Sequence, residues 1–278
     1  MSDQFMNLRE TDTGHSEAEV LFFDDFSSGE LDRTKWNVRV TGSIYNDEQQ
    51  AYVDSEETIY IASGEDAAGA KNNALVIHPR YRPAFTTADG KRFDFISGRI
   101  DTRDKFDFRY GSAAARMMLA PGAGLWPAFW LLGYESWPVS GEIDVLEFVG
   151  ERDWVSSAAH GPNYFGEAGL VNKYYFASNE DAASWHVYSV DWSPDWLLFK
   201  VDGCLTYRVT RPMTQFFGPW VYDNHKYIIL NCALGGTYPF KTNGVRKPYY
   251  GLPQSTVERL QQEEVKIFID WVRVNRKA

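Results

Sequence analysis

Apolar residues along the chain fall mostly in short runs or in alternation, and turn-forming residues separate them. Val20 to Phe26 reads Val-Leu-Phe-Phe-Asp-Asp-Phe, a first strand, and Ser27-Ser28-Gly29-Glu30 follows as a turn. Asn72 to Pro79 predicts another short strand stopped by proline, and Phe95 to Ile100 reads similarly. Residues 185–209 predict a meander: a strand from Trp185 to Trp192, a Ser193-Pro194-Asp195 turn, a strand from Trp196 to Val201, an Asp202-Gly203 turn, and a strand from Cys204. Proline presets the φ angle of a turn, and Asp-Gly adopts the positive φ that a tight hairpin needs. Near the C-terminus Val265, Ile267 and Ile269 alternate with Lys266, Phe268 and Asp270, so the two sets point to opposite sides of one strand.

Helical periodicity is poor almost everywhere. One short helix is expected around 256–264, with Thr256 as its cap. Many short strands with Gly, Pro and Asn turns, and no alternating helices, predict an all-β sandwich in preference to a barrel. Residues 1–19 are polar and read as a lead-in, and residues 20–278 as a single β-sandwich domain. The lead-in carries no apolar stretch of the kind found in a signal peptide.

Composition narrows the function. Aromatic residues make up 16% of the chain and include 10 Trp. Phe and Tyr fill sheets well, but Trp is large and its indole N–H wants a partner, so a cleft that stacks flat sugar faces accounts for some of these better than a core does. The net charge is -10 with no basic tract, which disfavours nucleic acid as a partner. No apolar run approaches the length of a membrane span. Cys204 and Cys232 leave a disulfide open as one alternative, with buried free thiols as the other.

The densest chemistry lies in Ser140-Gly141-Glu142-Ile143-Asp144-Val145-Leu146-Glu147-Phe148-Val149. Side chains alternate faces along a strand, so Glu142 and Asp144 share a face and Glu147 belongs to the other. A bulge at Val145-Leu146 adds one residue and returns Glu147 to the side of Glu142, with Ile143, one of Val145 and Leu146, and then Phe148 turned inward. Carboxylates crowded on one face repel each other, which a purely structural strand gains nothing from. A solvated acidic face and a calcium site remain alternatives. Glycoside hydrolysis with retention needs two carboxyls roughly 5–5.5 Å apart, a nucleophile and an acid/base, and the bulged strand supplies them. Asp144 between them raises a neighbour's pKa and shares its proton.

Gly-Glu-Ile-Asp-Val-Leu-Glu resembles the catalytic signature of glycoside hydrolase family 16. The likeness extends to 21–26 and 31–37 at the start, Ser97-Gly98-Arg99-Ile100, Gly124 to Gly133, 185–203, Ile229 to Gly236 and 265–274, in order along the chain. The resemblance implies a concanavalin A-like β-jelly roll with a concave cleft, and retaining cleavage with Glu142 as nucleophile, Glu147 as acid/base and Asp144 assisting. The extra hydrophobic residue in the signature resembles the laminarinase and galactanase-type branches. The surroundings of Trp126, Trp137 and Asn231 look most like endo-β-1,3-glucanases, with possible action on β-1,3-1,4-glucan. A hydrolase of agar or carrageenan, reshaped by segments 81–94 and 163–183, and a non-catalytic glucan-binding module are the alternatives.

By the same resemblance Trp126 and Trp130 line sugar subsites, Trp137 forms a cleft wall, and Asn46, Glu48, Arg99, His160 and Asn231 contact substrate. Trp126 and Trp130 also share strand parity. Zinc is disfavoured at His160, since no other His or Cys has ligand spacing. Many members hold a structural calcium on the convex side, and Asp24 or Asp25, with Asp270, are the matching carriers here. The family also implies a monomer working outside the cytoplasm or in the periplasm on a β-glucan polymer.

Overall fold

The computed structural model describes residues 19–276, so nearly all of the lead-in expected over 1–19 lies outside the described residues. Two large antiparallel sheets dominate. The first follows the hydrogen-bonded order β16 (Cys204–Thr210), β15 (Trp196–Val201), β14 (His186–Trp192), β9 (Gly111–Met118), β18 (Ile267–Asn275), β5 (Ala74–Ile77) and β4 (Ile59–Ala62). Strand β1 (Val20–Asp24) also pairs with β18. The second runs β13 (Leu170–Tyr175), β12 (Trp154–His160), β11 (Glu142–Glu147), β10 (Leu125–Gly133), β17 (Lys226–Leu234), β8 (Arg99–Asp101) and β2 (Asn37–Val38). A small third sheet joins β3 (Gln50–Tyr52), β7 (Arg92–Ser97) and β6 (Arg80–Thr86), with β3 and β7 parallel. The architecture is the sandwich that the short strands imply, with the β-jelly-roll form that the resemblance implies.

Apolar side chains from the facing sides of both large sheets merge into one core. Ala113, Ala115, Met117, Val190, Phe199 and Ile269 come from the first sheet, and Phe129, Leu131, Ile143, Leu146 and Leu230 from the second. Each fully buried Leu, Ile or Phe contributes roughly 1.5–3 kcal/mol. Trp36 is wholly buried at the N-terminal end of the sandwich and donates its Nε1 to Asp24 Oδ2 at 2.8 Å.

The predicted meander matches β14, β15 and β16 to within a residue, and Asp202 and Gly203 have φ of 50° and 80° in its second turn. In β18 Ile267 and Ile269 enter the main core, while Phe268 enters a second cluster with Ala62, Ala67, Ala74 and Val76. Three short helices follow the meander: α1 (Arg211–Thr214), α2 (Thr237–Asn243) and α3 (Gln254–Gln261). Helix α3 begins two residues earlier than expected, with Pro253 at its N-cap. Thr256 is not the cap. It is buried in the first turn, and its Oγ1 donates to Ala123 O at 2.8 Å while Val257 and Leu260 pack into the core. Cys204 is exposed on edge strand β16 and Cys232 is buried on β17, and both are free thiols.

Candidate active site

Strand β11 lies between β10 and β12, and both neighbours register the expected bulge. Against β10, Leu146 opposes Phe129 and Asp144 opposes Trp130, which leaves Val145 unpaired. Against β12, Asp144 opposes Ala158 and Glu147 opposes Ser156, so two residues of β11 face Ser157 alone. Ser157 Oγ donates to the Val145 carbonyl at 3.0 Å and satisfies an acceptor at the bulge. Ile143, Val145, Leu146 and Phe148 all enter the core, so both residues of the bulge turn inward where one was expected. Glu142, Asp144 and Glu147 are left together on the opposite face.

The trio is crowded and poorly hydrated. Burial pushes Glu142 up to about 8, the charge of Asp144 adds to the shift, and His160 and a hydrogen bond from Trp137 oppose it. Burial also lifts Asp144 to about 8, against a hydrogen bond with Glu142. Glu147 rises to about 8 by burial and then by Asp144, opposed by His160 and by Trp126. At neutral pH such a group holds protons that isolated carboxylates would have lost, which is what a general acid requires. His160 Nε2 lies 3.3 Å from Asp144 Oδ2. Tyr222 donates to the His160 carbonyl at 3.0 Å, and Gly169 leaves room for the imidazole, since a Cβ there would meet its Cε1 at 2.3 Å.

Trp126 and Trp130 are both half-buried on the face of β10 that carries the acids. Trp126 Nε1 donates to Glu147 Oε1 at 3.1 Å, and Trp130 Nε1 to Asn231 Oδ1 at 2.7 Å. Asn231 in turn donates to the Tyr52 hydroxyl at 3.0 Å. Arg99, opposite Asn231 on β8, places its guanidinium 5.0 Å from the Trp130 ring centre. Its buried Nε has no hydrogen-bond partner among the described residues, so a donor is left for a ligand. Trp137 is 48% exposed and packs edge-on against Phe165 at 5.1 Å, forming a rim beside Glu142.

Glu48 accepts from Gln50 Nε2 at 2.8 Å, and the Arg99 charge and Asn46 favour its anion against an upward push from burial. Asn46 is exposed, and its carbonyl accepts from Thr237 N at 2.7 Å. Beyond Glu48 a cavity of about 730 Å³ opens between Asp47, Arg92, Asp94, Tyr249 and Tyr250, so the hairpin of β6 and β7 shapes that end of the cleft.

Tyr238 is a site residue that sequence reasoning passed over. Its ring meets Trp126 edge-on at 5.6 Å, its hydroxyl shares a 2.9 Å hydrogen bond with Ser156 Oγ, and burial and the Glu147 charge raise its pKa. The signal was the Gly235-Gly236 turn, which ends β17 and throws α2 across the acids.

Glu142, Asp144 and His160 offer ligand atoms within 4.8 Å of one another, so this group could hold a metal ion. The calcium expected at Asp24 and Asp270 does not fit the residues present. Asp24 accepts from Phe26 N at 3.0 Å and Trp36 Nε1 at 2.8 Å. Asp270 accepts from Lys71 N at 2.9 Å and pairs with Arg116 Nη1 at 2.5 Å. Each carboxylate oxygen already receives a donor, and Arg116 supplies the positive charge.

Known proteins resemble this chain in sequence and fold. A protein described as glucan endo-1,3-beta-glucosidase A1 from Niallia circulans is 29% identical over 96% of this chain, which spans 39% of that protein's length. The laminarinase catalytic domain from Thermotoga maritima superposes with a TM-score of 0.78 at 28% identity, covering 94% of this chain and 99% of that one. The endo-beta-1,3-glucanase from Pyrococcus furiosus gives 0.78 at 31% identity, covering 92% and 94%. The model of glycosyl hydrolases family 16 matches residues 42–238, which include the acidic strand, its tryptophans and Tyr238. The chain belongs to glycosyl hydrolases family 16.

Proposed function

We propose that this protein is a retaining endo-hydrolase of β-1,3-glucan, of the laminarin type, that also accepts β-1,3-1,4-glucan. The observation that carries the reading is the bulge at Val145-Leu146, which sets Glu142 and Glu147 on one face with Asp144 between them. Two carboxyls on one face suit attack and protonation of the same bond.

In the first step a carboxylate oxygen of Glu142 attacks the anomeric carbon. Glu147 gives its proton to the glycosidic oxygen, which leaves with the bonding electron pair. In the second step the Glu147 carboxylate takes a proton from water as the water oxygen attacks the anomeric carbon, and the ester to Glu142 breaks. Asp144 keeps the proton of Glu147 high and shares one with Glu142, so that Glu142 can be the anion when the proton sits on Asp144. The faces of Trp126 and Trp130 suit pyranose stacking, and Arg99, Asn231 and Glu48 suit sugar hydroxyls. A binder would gain nothing from a group so costly to bury. The substrate, a polymer found outside cells, suits an extracellular or periplasmic monomer.

The test is a panel of laminarin, lichenan, barley glucan, agarose and carrageenan, read by product size, with the anomer followed by proton NMR. Internal cleavage of laminarin that releases the β-anomer first is expected, and Glu142→Gln should abolish it. Initial α-anomer, or normal rates in Glu142→Gln, would refute the mechanism, and cleavage of agarose or carrageenan alone would move the substrate to galactans.

A further inference from the structure

Lys226 opens β17, and the residue is wholly buried. Its Nζ donates to Ser140 O at 2.6 Å, Gly141 O at 3.0 Å and Asn224 Oδ1 at 2.8 Å. Three acceptors match the three protons of an ammonium, whereas a neutral amine has two. The rings of Trp192 and Tyr222 lie 5.9 and 5.5 Å from the same atom. Burial pulls its pKa down to about 7, and Glu135 and Glu142 work the other way. An apolar side chain would fill this place without that cost, since a buried ion contributes little stability over a well-packed hydrophobe.

The acceptors explain what the ion is for. Ser140 and Gly141 directly precede Glu142. Gly141 has a φ of 64°, and a Cβ there would meet Val221 O at 2.5 Å and Lys226 Nζ at 2.9 Å. Asn224 adds a second clip, with its Nδ2 donating to Ser140 O and to Glu135 Oε2, each at 3.0 Å. The loop from Glu135 to Gly141 is thus held where it enters β11, at the residue that must meet the anomeric carbon.

We propose that Lys226 is a positioning residue for hydrolysis: its ammonium locks the Ser140–Gly141 turn and so sets the aim of the Glu142 carboxylate. The proposal rests on the reading of Glu142 as nucleophile. A positioning effect belongs to the chemical step, because a carboxylate displaced by a fraction of an ångström still allows glucan to bind but attacks poorly.

The experiment combines Lys226→Met with a reaction that does not use Glu142. In Glu142→Gly, azide enters the vacated space and attacks the anomeric carbon of a dinitrophenyl β-1,3-linked glucoside. A C–N bond forms as dinitrophenolate leaves with its electron pair, giving a glycosyl azide. Lys226→Met alone should lower kcat on laminarin by about 100-fold with KM unchanged. Added to Glu142→Gly, it should leave the azide rate unchanged. Full kcat in Lys226→Met, or the same loss in the azide reaction, would overturn the proposal. Failure of Glu142→Gly with Lys226 intact to form any glycosyl azide would instead overturn the nucleophile assignment. Should Lys226→Met not fold, Asn224→Ala carries the test. It removes one acceptor and the clip on Ser140, and a smaller loss of kcat that is absent from the azide reaction is expected, whereas an unchanged kcat would overturn the proposal.

Discussion

The indole Nε1 of Trp126 donates to Glu147 Oε1 at 3.1 Å, so the ring proposed to hold sugar also tunes the carboxyl proposed as the acid. A hydrogen bond to the charged form favours that form. Trp126→Phe keeps much of the ring and removes the donor. The alkaline limb of the pH–rate profile should then move to higher pH, and kcat should fall more than KM rises. An alkaline limb that stays in place would separate Trp126 from the acid.

The bulge makes a sharper prediction. Deleting Val145 removes the extra residue, so Glu147 then stands four positions from Glu142 and a regular strand keeps both on one face. The deletion variant should therefore keep measurable activity, whereas Glu147→Gln should abolish it. An intermediate control, Leu146→Ala, keeps the count of residues and should cost about 2–5 kcal/mol in urea unfolding while retaining measurable activity. A loss as complete as that of Glu147→Gln in a folded deletion variant would mean that the bulge does more than restore the facing of Glu147.

Stability should depend on pH in a direction opposite to that of an ordinary salt-bridged acid. Glu147 holds its proton up to about 8 in the folded protein, against an ordinary value of 4.5. The folded state therefore binds that proton more tightly than the unfolded state. The contribution is fully present below about pH 4.5 and is lost as the pH rises through about 8. Glu147→Gln removes this dependence, so at pH 8 it should unfold later than the natural protein, by about 1 kcal/mol or more, with the difference shrinking toward pH 4.5. Thermal melts across this range check the sign.

Buried Asp270 and half-buried Arg116 form an ion pair on the first sheet, far apart in sequence and close in space. Asp270→Asn removes the counter-charge of the guanidinium but keeps an acceptor, and should cost about 1–2 kcal/mol. Since Arg116 already serves the carboxylate, calcium and EDTA should leave the melting temperature of the unaltered protein unchanged. A clear rise with calcium would show that a cation displaces these donors.

The legible parts of the chain were those governed by neighbours in sequence. The meander was readable because Pro194 and Asp202-Gly203 dictate their own turns. The acidic strand was readable because its faulty alternation has one simple remedy, and Trp126 and Trp130 because they share parity. What escaped depended on distant partners. Tyr238 reaches Trp126 and Ser156 only because Gly235 and Gly236 redirect the chain. Asp270 resembled a cation ligand until Arg116, 154 residues earlier, was found beside it. Thr256 resembled a cap, but the backbone of Ala123 claims its hydroxyl. Nothing in the sequence marks Lys226, since two of its three acceptors, Ser140 O and Gly141 O, lie in a distant segment.

The contrast between the two thiols has a practical side. Cys232 is sealed beneath the cleft sheet, and burial raises its pKa, so it stays a thiol and resists alkylation. Cys204 stands exposed on the edge of the opposite sheet. A maleimide dye or a surface tether should therefore attach at one known point, leaving the sugar-facing side of an immobilised enzyme open to a long polymer.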